Sequence, residues 1–343
     1  MHFGAHYLPA YVPELDGTPS EFYGKLFAQA EVLDDLGFEH LWVTEHHFHE
    51  YGGMIPDPPT FLAAVARGTK RIHLGVAVSV IPFHNPLQLA ESYAMVDVIS
   101  NGRLELGLGR GTTLPEFAEF RVSRDDSPTR LKETGEILLQ AWSGEPVNFE
   151  GEIYQYSNVR VLPRPVQQPP RVWVGASRTD GTFRWAGEMG FHLMTLPYMY
   201  GAEHLTQSVA AYKEGLASGG HDFSKKEFLG KFHVFVADSR ADAERAVPYL
   251  ANYGALSSVR SPQGNTPTRR AKSLEDSVAK GEIIVGDPDT CIDIIKYWQD
   301  TFGITTITGT FFFGGMPQDM AIKNIQMFAK EVMPAFATAG VAG

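Results

Sequence analysis

Six consecutive residues, Glu45-His46-His47-Phe48-His49-Glu50, put three imidazoles and two carboxylates into one short stretch. An imidazole exchanges a proton near neutral pH, and a nearby carboxylate fixes its tautomer and orientation. Two chemistries fit this cluster. In a metal site, His47 and His49 would form a His-x-His pair whose rings share one side of an extended strand. In the other, a histidine handles protons beside an organic cofactor. Metal catalysis needs further ligands on later strands, such as a lysine or histidines and an aspartate. Neither Gly175-Ala176-Ser177 nor Ile307-Thr308-Gly309-Thr310-Phe311 supplies them, and His192 and His233 stand too early in their strands to reach the same end. The ligand count fails, so no metal is expected. A single histidine of this kind is more often a satisfied structural group; three together argue for function.

Two further stretches suit a phosphate. In Gly107-Leu108-Gly109-Arg110-Gly111-Thr112-Thr113, three glycines flank an arginine, so backbone N–H groups can approach an anion while the guanidinium forks onto it. In Ser177-Arg178-Thr179-Asp180-Gly181-Thr182, hydroxyls open a helix, where they serve equally as caps and as phosphate ligands. The small residues of Gly75-Val76-Ala77-Val78-Ser79-Val80-Ile81-Pro82 leave room for a flat ring against a strand, although ordinary core packing accounts for them equally well.

The chain that must position these residues has 343 residues, 43% of them hydrophobic and 20% charged. That suffices for a large core, and α/β barrels hold this length as one domain. With 29 basic and 40 acidic residues the net charge is −11, which disfavours nucleic acid in the absence of a local basic patch, and none stands out beyond Arg269-Arg270. The single cysteine, Cys291, rules out a disulfide framework within the chain. The opening MHFGAHYLPAY lacks a basic leader, and no window is apolar enough to span a membrane, so a cytoplasmic protein is expected.

Short β-branched runs alternate with amphipathic stretches to the end of the chain. Strands are expected over 2–8, 40–44, 72–78, 104–108, 172–174, 192–196, 232–237 and 305–312, each followed by a helix. Eight such units predict a parallel (β/α)8 barrel over residues 1–343. The rival, an open doubly wound sheet, wants a glycine-rich phosphate turn after its first strand, and His6 to Pro13 has none. Two insertions break the rhythm: a β-hairpin near 145–170, and the polar stretch 255–286, read as a mobile lid over the barrel mouth. Catalytic groups of such barrels lie at the carboxyl ends of the strands, where the three constellations fall.

Along nearly its whole length the chain resembles the luciferase-like monooxygenase family, most closely in motif the luciferase alpha subunit. The resemblance rests on Met1-His2-Phe3-Gly4, Gly37-Phe38, Trp42 before Glu45-His46-His47-Phe48, Gly75 to Pro82 with Pro86, Gly102-Arg103 before the Gly-x-x-Arg-Gly at 107–111, Gly286-x-Pro288, and Glu331-Val332-Met333-Pro334. It implies a two-component system in which an NAD(P)H:flavin reductase supplies reduced FMN, which reacts with O2 to a C4a-peroxyflavin that oxidises a small organic substrate. His46 matches the catalytic acid/base, with Glu45 orienting it. Arg110 matches the phosphate arginine, with Gly111 and Thr112 beside it, and Ser177 and Thr179 look like the hydroxyl ligands. Ala77-Val78 matches a pair joined by a cis peptide under the flavin. The pattern departs at Gly109, where the alpha subunit has a reactive cysteine, and at His6, where it has phenylalanine. These departures put light emission in doubt and point to a homodimer rather than a heterodimer. His6, Tyr7, Phe83, Tyr198, Tyr200 and Phe313 are candidates to line an aromatic substrate pocket. A deazaflavin F420-dependent oxidoreductase and a non-catalytic flavin-binding protein are the alternatives.

Overall fold

The computed structural model describes residues 1–177, 179–260 and 273–337, apart from the side chains of 198–203 and 258–260. The strands in chain order are β1 (His2–Tyr7), β2 (His40–Val43), β3 (His73–Val80), β4 (Leu104–Gly109), β5 (Val147–Glu150), β6 (Gln155–Val159), β7 (Arg171–Gly175), β8 (His192–Thr195), β9 (Phe228–Val236), β10 (Ile284–Gly286) and β11 (Thr306–Thr310). Eight of them close into an all-parallel ring in the order β1-β2-β3-β4-β7-β8-β9-β11, with β11 pairing back onto β1. The expected barrel is therefore present. β5 and β6 form the expected antiparallel hairpin outside the ring, and β10 adds to the far end of β9 at Val234–Val236.

Alternation of side chains builds two cores. Outward residues such as Leu41, Val43, Leu74, Val76, Leu106 and Val174 pack under the helices. Inside the ring, Trp42 and Trp173 meet edge to face at 5.3 Å and pack with Met194 and Leu229. Burying each large aromatic contributes on the order of 3 kcal/mol. A Cβ at Gly75 would overlap the Trp42 ring, so glycine is required there. The amino end of the barrel is closed by charges: Glu105 contacts His73 at 3.2 Å and Arg171 at 3.3 Å, and Arg171 also pairs with Glu227. His192 lies in this layer, its Nδ1 accepting the Glu227 N–H at 2.9 Å, well away from the mouth as expected.

Of the stretch 255–286, read as a mobile lid, the structure describes the two ends. Residues up to Arg260 continue the helix Val247–Arg260, and 273–286 contain the helix Leu274–Ala279 and β10, whose backbone pairs with β9. The polar residues on which the lid reading rested, among them Arg269, Arg270 and Lys272, fall in 261–272, which lie outside the described residues. Helix Val247–Arg260 does lie over the mouth on its β9–β11 side. Tyr253 packs on the His233 ring at 4.4 Å, and Asn252 Nδ2 donates to Gly314 O at 2.8 Å.

Candidate active site

Adjacent residues on extended backbone point to opposite sides. That rule decides how the Glu45-His46-His47 stretch, which follows β2, is used. His46 Nδ1 lies 3.0 Å from Glu116 Oε1, and the same oxygen accepts the His47 N–H at 3.2 Å. Glu45 faces away from His46. Its carboxylate takes His47 Nε2 at 3.0 Å, His84 Nε2 at 2.8 Å, the Ser79 hydroxyl at 3.1 Å and the Val80 N–H at 2.9 Å. The expected orientation of His46 by Glu45 is thus corrected: Glu116 performs it. Burial alone would raise the Glu45 carboxyl, but the bonds from His47, His84 and Val80 outweigh it and hold the pKa at about 2. Burial lowers His84, and its bond to Glu45 overcomes this and leaves its pKa raised.

Glu116 sits in the short helix Leu114–Glu119, directly after the Gly-Arg-Gly turn. A carboxylate in the middle of an amphipathic stretch was the one available signal for it, and sequence reasoning passed over it. His84 was missed for the same reason, since its partner is far away in sequence. The His-x-His pairing of His47 and His49 is not formed. The strand ends at Val43, Phe48 takes φ +61° between the two histidines, and His49 Nδ1 accepts the Tyr51 N–H at 3.0 Å instead. Phe48 itself is 67% exposed and leans on Phe120 at 5.2 Å. The loops after β1 and β2 are joined by Gly52 N–H to Pro9 O at 2.7 Å. A Cβ at Gly52 would stand 2.9 Å from His46 Cδ2, so glycine there lets the ring sit close.

The phosphate candidates converge from two strand ends. One Arg110 guanidinium nitrogen, after β4, donates to Thr179 Oγ1 at 3.0 Å, after β7. Thr179 is the cap residue of helix Asp180–Glu188, at whose amino end the first backbone N–H groups lack helix partners. Ser177 is two residues upstream, its carbonyl 2.9 Å from His204 Nε2. Gly111 has φ +73°, and Thr112 is exposed beside it. The Ala77–Val78 peptide bond is cis, and both residues are partly exposed within the mouth. Val78 projects over Gly109 and Gly175, where any Cβ would overlap it. This explains glycine at 109 without reference to reactivity. An arginine, hydroxyls and a helix amino end make a donor set suited to a phosphomonoester dianion.

His6 is buried, bonded to Thr44 Oγ1 at 2.8 Å and within 3.5 Å of Thr310 Oγ1. Burial, followed by the positive charge of Lys231, keeps its pKa well below the usual range. Phe313 meets His233 edge-on at 5.4 Å. His233 thus stands level with His6 near the mouth, which corrects the expectation that it sits too early in its strand. The expectation ignored the stagger of a nine-residue strand in a tilted barrel. Tyr7 is corrected too: its hydroxyl donates to Leu26 O at 3.3 Å, outward under the helices. Phe83 stacks on Phe120 at 4.5 Å beside His47. The side chains of Tyr198 and Tyr200 lie outside the described residues, as does Arg178. Among the described residues, no group of three His, Cys, Asp or Glu could hold a metal ion.

A closed α/β barrel with a histidine–carboxylate pair and a candidate phosphate cradle at its mouth defines a class of cofactor-dependent barrel enzymes. Residues 1–305 match the profile of the luciferase-like monooxygenases, and the chain belongs to that family of oxidoreductases. It is 26% identical to the oxygenase component of flavin-dependent trigonelline monooxygenase from Acinetobacter baylyi, over 94% of this chain and 92% of that one. The F420-dependent glucose-6-phosphate dehydrogenase of Amycolatopsis mediterranei is 26% identical, covering 92% and 95%. The crystal structure of monooxygenase RslO1 from Streptomyces bottropensis superimposes with a TM-score of 0.88 at 30% identity, covering 98% and 100%.

Proposed function

We propose that the protein is the oxygenase of a two-component system, taking reduced FMN from a separate NAD(P)H:flavin reductase and using O2 to oxidise a small organic substrate. The observation that carries this reading is the joint presence of the Arg110–Thr179 cradle and the His46–Glu116 pair at one barrel mouth. FMN, when bound, supplies the activation of dioxygen. Arg110, the Thr179 hydroxyl, Ser177 and the N–H groups of Gly111 and Thr112 hold its phosphate, and Ala77 and Val78 support the flat ring. With Nδ1 donating to Glu116, His46 gives and takes the proton at Nε2. Glu45 holds His47 and His84 and so shapes the wall behind His46. The trigonelline relative, named as flavin-dependent and as an oxygenase component, supports the choice of cofactor and partner. The dehydrogenase relative favours F420 and hydride transfer as the second reading. Titration with each cofactor separates them: FMN binding with substrate-dependent O2 uptake is expected, and binding of F420 alone would overturn the assignment.

The phosphate role of Arg110 is checked separately. Arg110→Ala removes charge-assisted hydrogen bonds and is expected to raise the Kd for FMN about ten- to a hundredfold. Riboflavin, which lacks the phosphate, should bind both proteins alike; an equal loss for both ligands would refute the role.

We also assign the protein to homodimers. Met95, Val98 and Ile99 on helix Pro86–Ser100 leave large apolar side chains exposed, joined nearby by Leu162 and Val166. Val98→Glu is expected to convert the dimer to monomer in sedimentation analysis. A wild-type protein that sediments as a monomer would contradict this.

A further inference from the structure

The β7 side of the phosphate cradle carries a negative charge as well as donors. Thr179, bonded to Arg110, caps helix Asp180–Glu188, so Asp180 opens that helix directly after the cap. A carboxylate there suits the positive end of the helix dipole, and for the same reason it competes with a phosphate for that end. The Asp180 carboxylate is taken up elsewhere. Its Oδ1 accepts the Ser208 hydroxyl at 3.1 Å, and Ser208 is fully buried on helix Pro197–Ser218. With that proton given to Asp180, the Ser208 oxygen receives from His204 Nε2 at 3.4 Å. The same Nε2–H donates to Ser177 O at 2.9 Å. The chain of bonds from Ser177 through His204 and Ser208 to Asp180 thus grips the loop on both sides of Thr179. His204 and Ser208 stand one turn apart on a face that Tyr212 and Gly215 continue. A Cβ at Gly215 would overlap the Arg184 carbonyl and one at Gly187 the Tyr212 carbonyl, so the two helices meet backbone to backbone. The Tyr212 hydroxyl also donates to Phe191 O at 2.6 Å.

We infer that Ser208, supported by His204, is a positioning residue of the cofactor site: it draws the Asp180 carboxylate onto helix Pro197–Ser218 and leaves the amino end of helix Asp180–Glu188 to a phosphate dianion. This rests on the phosphate role proposed for Arg110 and Thr179, and it adds residues that act on the cofactor through Asp180 and the loop rather than by contact. Released from Ser208, the carboxylate returns to the first turn of its own helix. A like charge within a Debye length, about 8 Å, weakens the binding of a dianion. Asp180 is exposed, so solvent keeps this effect modest. Riboflavin, which has no phosphate, is indifferent to it.

Parallel fluorescence titrations with FMN and riboflavin test this. Ser208→Ala is expected to weaken FMN binding about three- to tenfold relative to wild type and to leave riboflavin unchanged, with the difference shrinking in about 1 M salt. Adding Asp180→Asn to Ser208→Ala should restore the FMN affinity, a rescue that a merely structural hydroxyl would not give. An unchanged ratio of FMN to riboflavin affinity in Ser208→Ala, or a loss that persists in the double variant, would overturn the inference. Should Ser208→Ala not fold, Asp180→Asn alone decides. With the carboxylate already drawn away, it should alter FMN affinity less than about twofold, and a larger gain would mean that the wild-type carboxylate opposes the phosphate. Failure of wild type to bind FMN would instead remove the cofactor assignment, so the two failures are distinguishable.

Discussion

Replacing His46 by alanine is expected to lower substrate oxygenation by about 10²–10⁴-fold, the usual range for a lost general acid/base. FMN affinity should be unchanged, because Arg110 and Thr179 bond across the mouth and are independent of the imidazole. The Nδ1 contact with Glu116 fixes which nitrogen carries the exchangeable proton, and alanine removes both. O2 consumption should therefore continue while product falls and hydrogen peroxide accumulates. Glu116→Gln separates positioning from chemistry. It keeps the shape but offers a weaker acceptor, so turnover should drop less than in His46→Ala and its pH profile should shift. Unchanged product yield in His46→Ala would remove the role assigned to this residue.

The second large effect concerns stability. Glu45 is fully buried and its carboxyl is held at about 2, against the ordinary 4.5 of a glutamate. A depressed folded-state pKa means that the stabilisation is complete above 4.5 and is lost as pH falls through 2. At about 1.4 kcal/mol per pKa unit this contributes about 3 kcal/mol at neutral pH. Glu45→Gln should destabilise the protein by about that amount in urea unfolding at pH 7. The gap to wild type should shrink as the pH is lowered from 5 toward 2. His84 acts in the opposite direction: its raised pKa adds stability below 6.5 that disappears as pH rises through the folded value. A gap that stays constant with pH would mean that the charge of Glu45 is not what stabilises the fold.

Much of this was legible because it depends on local pattern. Short β-branched runs separated by amphipathic helices announce a parallel sheet, and each of the eight expected strands forms part of the closed ring. Gly-Arg-Gly and the hydroxyls before Asp180 were readable because glycine freedom and helix caps are local properties. The partners of the histidines were not. Glu116 lies 70 residues from His46 and Glu45 lies 39 residues from His84, and spacing along the chain says nothing about which carboxylate arrives at which ring.

The Glu45-His46-His47 stretch divides the two kinds of information. That proton-exchanging groups stand at the carboxyl end of a buried strand follows from the amino-acid order alone, because hydrophobic periodicity places the strand and a barrel exposes that end. The pairing of partners came from the tertiary fold: His46 with Glu116, His47 and His84 with Glu45, and His6 with Thr44. Backbone alternation sends neighbouring side chains to opposite sides, and closure of the ring with its stagger selects which distant groups each one meets.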